Sequence, residues 1–225
     1  MSATLQNWLQ IAGDEVPLLP DPFWLRCYMV LGWAVLMAWL SNAVVARLRP
    51  AWNAGTRQLL AAVLALWTVL PGPMSPGHWL GLAFQSPSMS SIILGVLALR
   101  SSISGRRAPA AVCTGGVSSL LWSGAGVLLG YLLLFDTLAL LPWSLYPAGF
   151  SSSTMLMLLA VSVLPWVFAG RRAGCTGFWL ALALLTCSLT RLPSGNVWDA
   201  LIDPWLWVVL QVYLLRRVFS RSGGA

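Results

Sequence analysis

The sequence predicts an all-α fold: a polytopic integral membrane bundle of about seven transmembrane helices, N-terminus outside and C-terminus inside. Three observations carry that prediction. Of 225 residues, 58% are hydrophobic and only 8% are charged, whereas a soluble domain carries roughly 25% charged residues. The apolar runs are long and rich in Leu, Ala and Val, unlike the ~10-residue alternating strands of a membrane barrel. The charges also sort by sign about those runs, as the positive-inside rule requires.

The whole chain reads as one membrane domain. Residues 1–22 form an outer amphipathic segment, with Leu5, Trp8, Leu9 and Ile11 at helical spacing. Asp14, Glu15 and Asp21 precede the first apolar run and no basic region does, so no signal peptide is expected here. Span 1 covers about Phe23 to Val45 and closes at Arg47, Arg49 and Pro50. Span 2 covers about Ala51 to Leu70, but only Leu59 to Leu70 is nearly free of polar residues. That run rises about 18 Å, well short of a ~30 Å hydrocarbon core.

Residues 71–91 follow, a Pro-rich outer region holding four prolines and the only histidine. The simpler expectation is one helix from Trp79 to Leu99, kinked at Pro87, after a plain outer turn. The competing one is a re-entrant half-helix from Trp79 to Gln85, broken at Ser86-Pro87-Ser88. Irregular backbone at membrane depth survives only inside protein or beside a wet cavity. The run from Ile92 to Leu99 then ends at Arg100.

Span 4 runs from about Pro109 to Phe135 and is closed by Asp136. Thr137 to Phe150 is a second outer connection. Span 5 covers about Ser152 to Ala169, and span 6 about Thr176 to Thr190. A turn at residues 191–196 leads to the last span, which begins at Val197 or Asp203 and ends near Val218. Asp203-Pro204 has the form of a helix start, an N-cap followed by proline at the first position. Residues 23–219 thus make the bundle and 220–225 a cytoplasmic tail. All thirteen basic residues are arginine, and this topology leaves only Arg26 and Arg191 outside. All six acids fall outside. The implied location is a bacterial-type inner membrane, with the N-terminus periplasmic.

Candidate binding residues come from the outer side. His78, Gln85, Ser88 and Ser91 share one face if a helix runs through them. Asp136, Arg191, Asp199 and Asp203 are outer charges near the membrane, where charges are costly and often functional. Pairing of Arg191 with Asp199 or Asp203, and of Arg26 with Asp21, is the plainer expectation, together with capping by Asp203. Gly116, Ser119, Ser123, Gly126 and Gly130 make a small-residue seam for helix packing. A Cys27–Cys187 disulfide is possible at an oxidising outer face; packing as small apolar residues is the simpler role for all four cysteines. Tryptophans near the proposed ends fit an aromatic belt, with Trp33 and Trp67 deeper.

The sequence shows no catalytic motif, no metal-ligand spacing and no charge firmly at mid-span. No cofactor or metal is expected. The arginines are scattered and form no basic stripe, which argues against nucleic acid. The expected partners are the lipid bilayer and a membrane protein or second copy of the chain. The leading functional expectation is an inner-membrane subunit that binds partner proteins or lipid and supports a cell-envelope complex without covalent chemistry. Two alternatives stand beside it. One is a small transporter or channel using the broken region 71–91. The other is an intramembrane enzyme using His78 with Asp136, Asp199 or Asp203.

Overall fold

The computed structural model describes residues 20–104, 117–169 and 176–222. These residues are all-helical, in the order α1 (Pro22–Leu48), α2 (Ala54–Val69), α3 (Pro76–Phe84), α4 (Met89–Ser104) and α5 (Val117–Thr137). A 3-10 turn (Tyr146–Phe150) precedes α6 (Ser152–Ala169), α7 (Thr176–Thr190), α8 (Val197–Leu201) and α9 (Pro204–Ser222). The expected helix at residues 5–11 lies outside the described residues, as do Gly116, Cys113 and Cys175. Two helices, Pro22–Leu48 and Leu120–Thr137, are long and apolar enough to cross a membrane.

Local sequence explains most helix starts. Asp21-Pro22, Ser75-Pro76 and Asp203-Pro204 each place a polar cap before a proline at the first helical position. Proline has no N–H to waste there, and its fixed φ suits the helix. The Asp21 carboxylate accepts from the Phe23 N–H at 2.9 Å, the Ser75 hydroxyl from Gly77 at 3.1 Å, and Asp203 from Leu206 at 2.7 Å. The helices α1, α3 and α9 all start at one end of the bundle, called the top below.

The region around Pro87 departs from the simpler expectation. There is no continuous helix from Trp79 to Leu99: α3 stops at Phe84 and α4 starts at Met89. Proline at 87 can neither donate to the carbonyl of residue 83 nor fit against it, and it pushes Ser86 out of helical geometry. Gln85 adopts φ 57°, ψ −134°, far from helix. The two helices do not lie end to end. Gly81 of α3 packs on Met29, and Phe84 lies 6.2 Å, ring to ring, from Trp33. Ile92 of α4 packs on Gly32, and Gly95 on Val35 and Leu36. Both helices therefore run along α1 in the same direction, α3 beside residues 29–33 and α4 beside residues 32–36. The chain dips along α1, reverses at residues 85–88, and descends again.

The core sits where α4, α7 and α8 meet. Met89, Ala183, Cys187, Leu192 and Ala200 form one buried cluster, and Leu184, Val197 and Trp198 another. Cys27 and Cys187 are both free thiols, so the disulfide does not form and Cys187 is a packing residue. Trp33 is buried in the bundle. Trp67 is exposed on the last turn of α2 and donates its indole N–H to the Met74 carbonyl at 2.9 Å.

The small-residue seam faces α9. A Cβ on Gly130 would sit 2.3 Å from the Trp207 ring, and one on Gly126 would sit 2.7 Å from a methyl of Leu210. The Trp207 indole N–H donates to the Val127 carbonyl at 3.1 Å, and Tyr131 donates to Gln211 at 3.2 Å. Ser123 is buried; the side chain of Ser119 lies outside the described set. Overpacking of this kind costs about 1–3 kcal/mol. Gly130→Leu is therefore expected to lower the unfolding temperature in detergent, and Gly126→Ala much less, because only a flexible side-chain end must move. Equal shifts for the two variants would contradict the seam.

Candidate functional site

At the top of the bundle lies a cleft of about 890 Å³. Its wall takes Arg26 from α1, Gln85 from the α3–α4 break, Tyr146 from the 3-10 turn and Ser194, Asp199 and Asp203 from the segment between α7 and α9. Four separate parts of the chain thus converge on one opening.

Asp203 is the best-held of these groups. Its side chain is buried. One carboxylate oxygen accepts the Leu206 N–H at 2.7 Å and so caps α9. The other accepts the Ser88 N–H at 2.7 Å, 115 residues away in sequence. Ser88, itself fully buried, caps α4: its hydroxyl accepts the Ser91 N–H at 3.1 Å and donates to the Ser91 hydroxyl at 3.0 Å. Two carbonyls of the break are also engaged. The Gln85 carbonyl accepts the Trp33 indole N–H at 2.8 Å, and the Pro87 carbonyl accepts the Tyr28 hydroxyl at 2.9 Å. Ser90 donates to the Ala200 carbonyl at 3.3 Å. The break is closed by side chains from α1, α4 and the α8–α9 corner.

Asp199 organises the other wall. One of its oxygens accepts both the Tyr146 hydroxyl, at 2.8 Å, and the Ser194 hydroxyl. The Ser194 hydroxyl also accepts the Asn196 N–H at 3.2 Å. Asn196 is fully buried; it donates to the Tyr146 carbonyl at 3.0 Å and accepts from the Trp198 N–H at 3.0 Å. Gly149 packs so close to the Asn196 amide that no Cβ fits there. Asp136, on the last turn of α5, accepts the Tyr146 N–H at 2.7 Å. Burial first, and then the hydrogen bond to Asp199, pushes the Tyr146 phenol up to about 12.

The structure therefore separates the sequence candidates. Gln85, Asp199 and Asp203 line the cleft. Ser88 and Ser91 lie buried beneath it as caps. Asp136 holds the connection between α5 and α6 through the Tyr146 N–H. His78 does not join them: it is exposed on the first turn of α3, edge-on to Trp79 at 5.4 Å. The shared face expected for His78, Gln85, Ser88 and Ser91 fails because the helix breaks between them. Arg191 is exposed, with φ 59° at the end of α7, and pairs with neither Asp199 nor Asp203, whose oxygens take backbone and hydroxyl donors instead. Asp21 likewise caps α1 rather than pairing with Arg26. Tyr146, Ser194 and Tyr28 were not among the sequence candidates; nothing local marks a tyrosine whose partner lies 53 residues on. The capping role of Asn196 follows the N-cap rule at a turn before an apolar run.

Among the described residues no three His, Cys, Asp or Glu side chains gather as a metal ion would need. Comparison with known proteins gives no similarity to report: no family model, curated protein or solved structure matches the chain.

Two measurements test this geometry. Asp203→Ala strips the acceptor from two helix starts, each charge-assisted hydrogen bond being worth about 1.5–3 kcal/mol. It should destabilise the protein by ~2 kcal/mol or more in detergent unfolding. Asp203→Asn keeps one acceptor oxygen and should cost less; equal losses would break the bridging account. The raised Tyr146 phenol sets a pH signature. A group whose pKa rises on folding contributes stability that is whole below its unfolded value of 10 and lost as pH climbs through about 12. Thermal stability should therefore decline between pH 10 and 12, and Tyr146→Phe should flatten that decline. An unchanged profile in the variant would exclude the Tyr146–Asp199 contact as its source.

Proposed function

We propose that the chain is a small multi-pass subunit of a bacterial-type inner membrane, whose outer cleft holds lipid or a partner segment and which supports an envelope complex without covalent chemistry. In this reading the top of the bundle is the periplasmic face. Seven helices (α1, α2, α4, α5, α6, α7 and α9) are spans, α3 is a half-helix entering from outside, and α8 is a surface turn. The N-terminus is outside and the C-terminus inside. Large apolar side chains on several helices favour a lipid surround: Leu189 is 85% exposed, Phe168 83% and Leu48 73%. Water around so many such groups would be very costly at about 25 cal/mol per Å². Helices of 15 and 16 residues rise only about 24 Å, which a locally thinned bilayer accommodates.

The observation that carries the reading is the state of the acids around the cleft. Asp203 spends both oxygens on helix starts, and Asp199 and Asp136 hold the Tyr146 turn. Asp203 and Asp136, held by backbone N–H groups, are poorly placed to trade protons with a substrate, and Asp199 has no histidine beside it, because His78 is outside the cleft. Transport through the break is disfavoured on similar grounds. Discontinuous helices serve ions and substrates with unpaired backbone groups, whereas the Gln85 and Pro87 carbonyls and the Ser88 N–H already have partners.

The deciding experiment is affinity purification of the full chain in mild detergent. A stoichiometric polypeptide or lipid is the expected companion. A companion-free protein that moves a solute in liposomes would sink the proposal. For orientation, an impermeant thiol reagent should label a His78→Cys variant from the periplasmic side; labelling from the cytoplasm alone would invert the topology.

A further inference from the structure

Beneath the cleft lie two apolar cavities of about 330 Å³ each. One lies among α4, α5, α6, α7 and α9, the other among α1, α3, α4 and α9. Leu94 of α4 and Leu206 of α9 line both, so the two cavities share one wall. Ile202 lines the first cavity and the cleft alike. The second meets the cleft across an aromatic group: Phe84, on the cleft wall, packs on Trp205 of the cavity at 4.9 Å between ring centroids. One opening that carries several polar and charged side chains thus stands above two apolar spaces. Both are partly open, and each is larger than the ~150 Å³ apolar cavity that admits benzene.

The cleft also carries the charges to orient an amphiphile. Arg26 is exposed and takes part in no ion pair with Asp21, which caps α1 instead. Asp199 lends only one oxygen to Tyr146 and Ser194, so its second remains open to a cation. A headgroup with a phosphate and a primary ammonium matches this pair: guanidinium for phosphate, carboxylate for ammonium.

Resting on the membrane reading above, we propose that the chain binds one diacyl aminophospholipid. Its headgroup occupies the cleft between Arg26 and Asp199, and one acyl chain fills each cavity on either side of the Leu94–Leu206 wall. Moving an acyl chain from bilayer to protein yields no hydrophobic gain, because lipid tails are as apolar as leucine. Affinity therefore comes from packing in the cavities, and selectivity from the headgroup contacts.

The test uses the full chain, purified in mild detergent, stripped of lipid and titrated by native mass spectrometry with three defined lipids. These are a diacyl phosphoethanolamine lipid, a diacyl phosphoglycerol lipid and a one-chain phosphoethanolamine lipid. The first should bind once per chain and about tenfold tighter than the phosphoglycerol lipid, the ratio expected for one lost charge-assisted contact, and tighter than the one-chain lipid, which leaves one cavity unfilled. Arg26→Gln, at an exposed position, should weaken it about tenfold without lowering the unfolding temperature. Leu94→Trp fills the shared wall and should weaken the two-chain lipid more than the one-chain lipid. Equal binding of all three lipids, or a one-chain lipid that binds as tightly as the two-chain form, overturns the proposal. Capture of a stoichiometric protein with no retained lipid overturns it while leaving the subunit reading standing. A chain released from membranes by an alkaline wash would end both.

Discussion

The fold depends on one carboxylate placed where two helices begin. Asp203 takes the first free N–H of α4 on one oxygen and caps α9 with the other. A buried donor left unpaired costs about 1–3 kcal/mol, so both helix starts weaken when this carboxylate is lost. The bridge also fixes where α9 stands relative to the rest. Elsewhere α9 leans mainly on α5, through Trp207 and the two glycines. Both cavities border α9, and their size is set by how far this anchor holds it from α4.

The same logic makes a half-helix stable at α3. A chain that stops and turns inside an apolar layer exposes carbonyls at the turn. Here α1 supplies the donors, Tyr28 and Trp33, from its own first turns. Both residues are amphipathic aromatics that bring bulk and a single donor together. Gly32 lies between them and leaves room for Pro87 and Ile92 to press against the α1 backbone. The reversal of the chain is therefore written partly in α3 and partly in a helix fifty residues earlier.

Much of the architecture was legible in the sequence. The bounds of α6 and α7 match the apolar runs at residues 152–169 and 176–190, because arginine pairs or polar turns bracket them. Asp203-Pro204 announced its own helix start. The break between Phe84 and Met89 was legible only as one of two possibilities. Proline breaks a helix with certainty, but whether the pieces stay aligned depends on distant donors. The cleft was half legible. Acids close to helix ends could be suspected one by one, yet Asp199 meets Tyr146 and Asp203 meets Ser88 only through folding. His78 attracted interest as the lone histidine, and its chemistry is real, but its turn of helix faces away. Charge pairing was overestimated: Asp21 and Asp203 take backbone donors at helix starts, and Asp199 takes two hydroxyls.

The reliance of α9 on α5 has a consequence for assembly. Ribosomes deliver this chain from its N-terminus, so the nineteen residues of α9 arrive after every other helix described. Until Trp207 keys against Gly130, Leu206 is not opposite Leu94 and neither chamber has its final side. The interior spaces of the protein are thus a product of its last folding step. A ligand that needs both spaces therefore finds its site only after the last helix has docked.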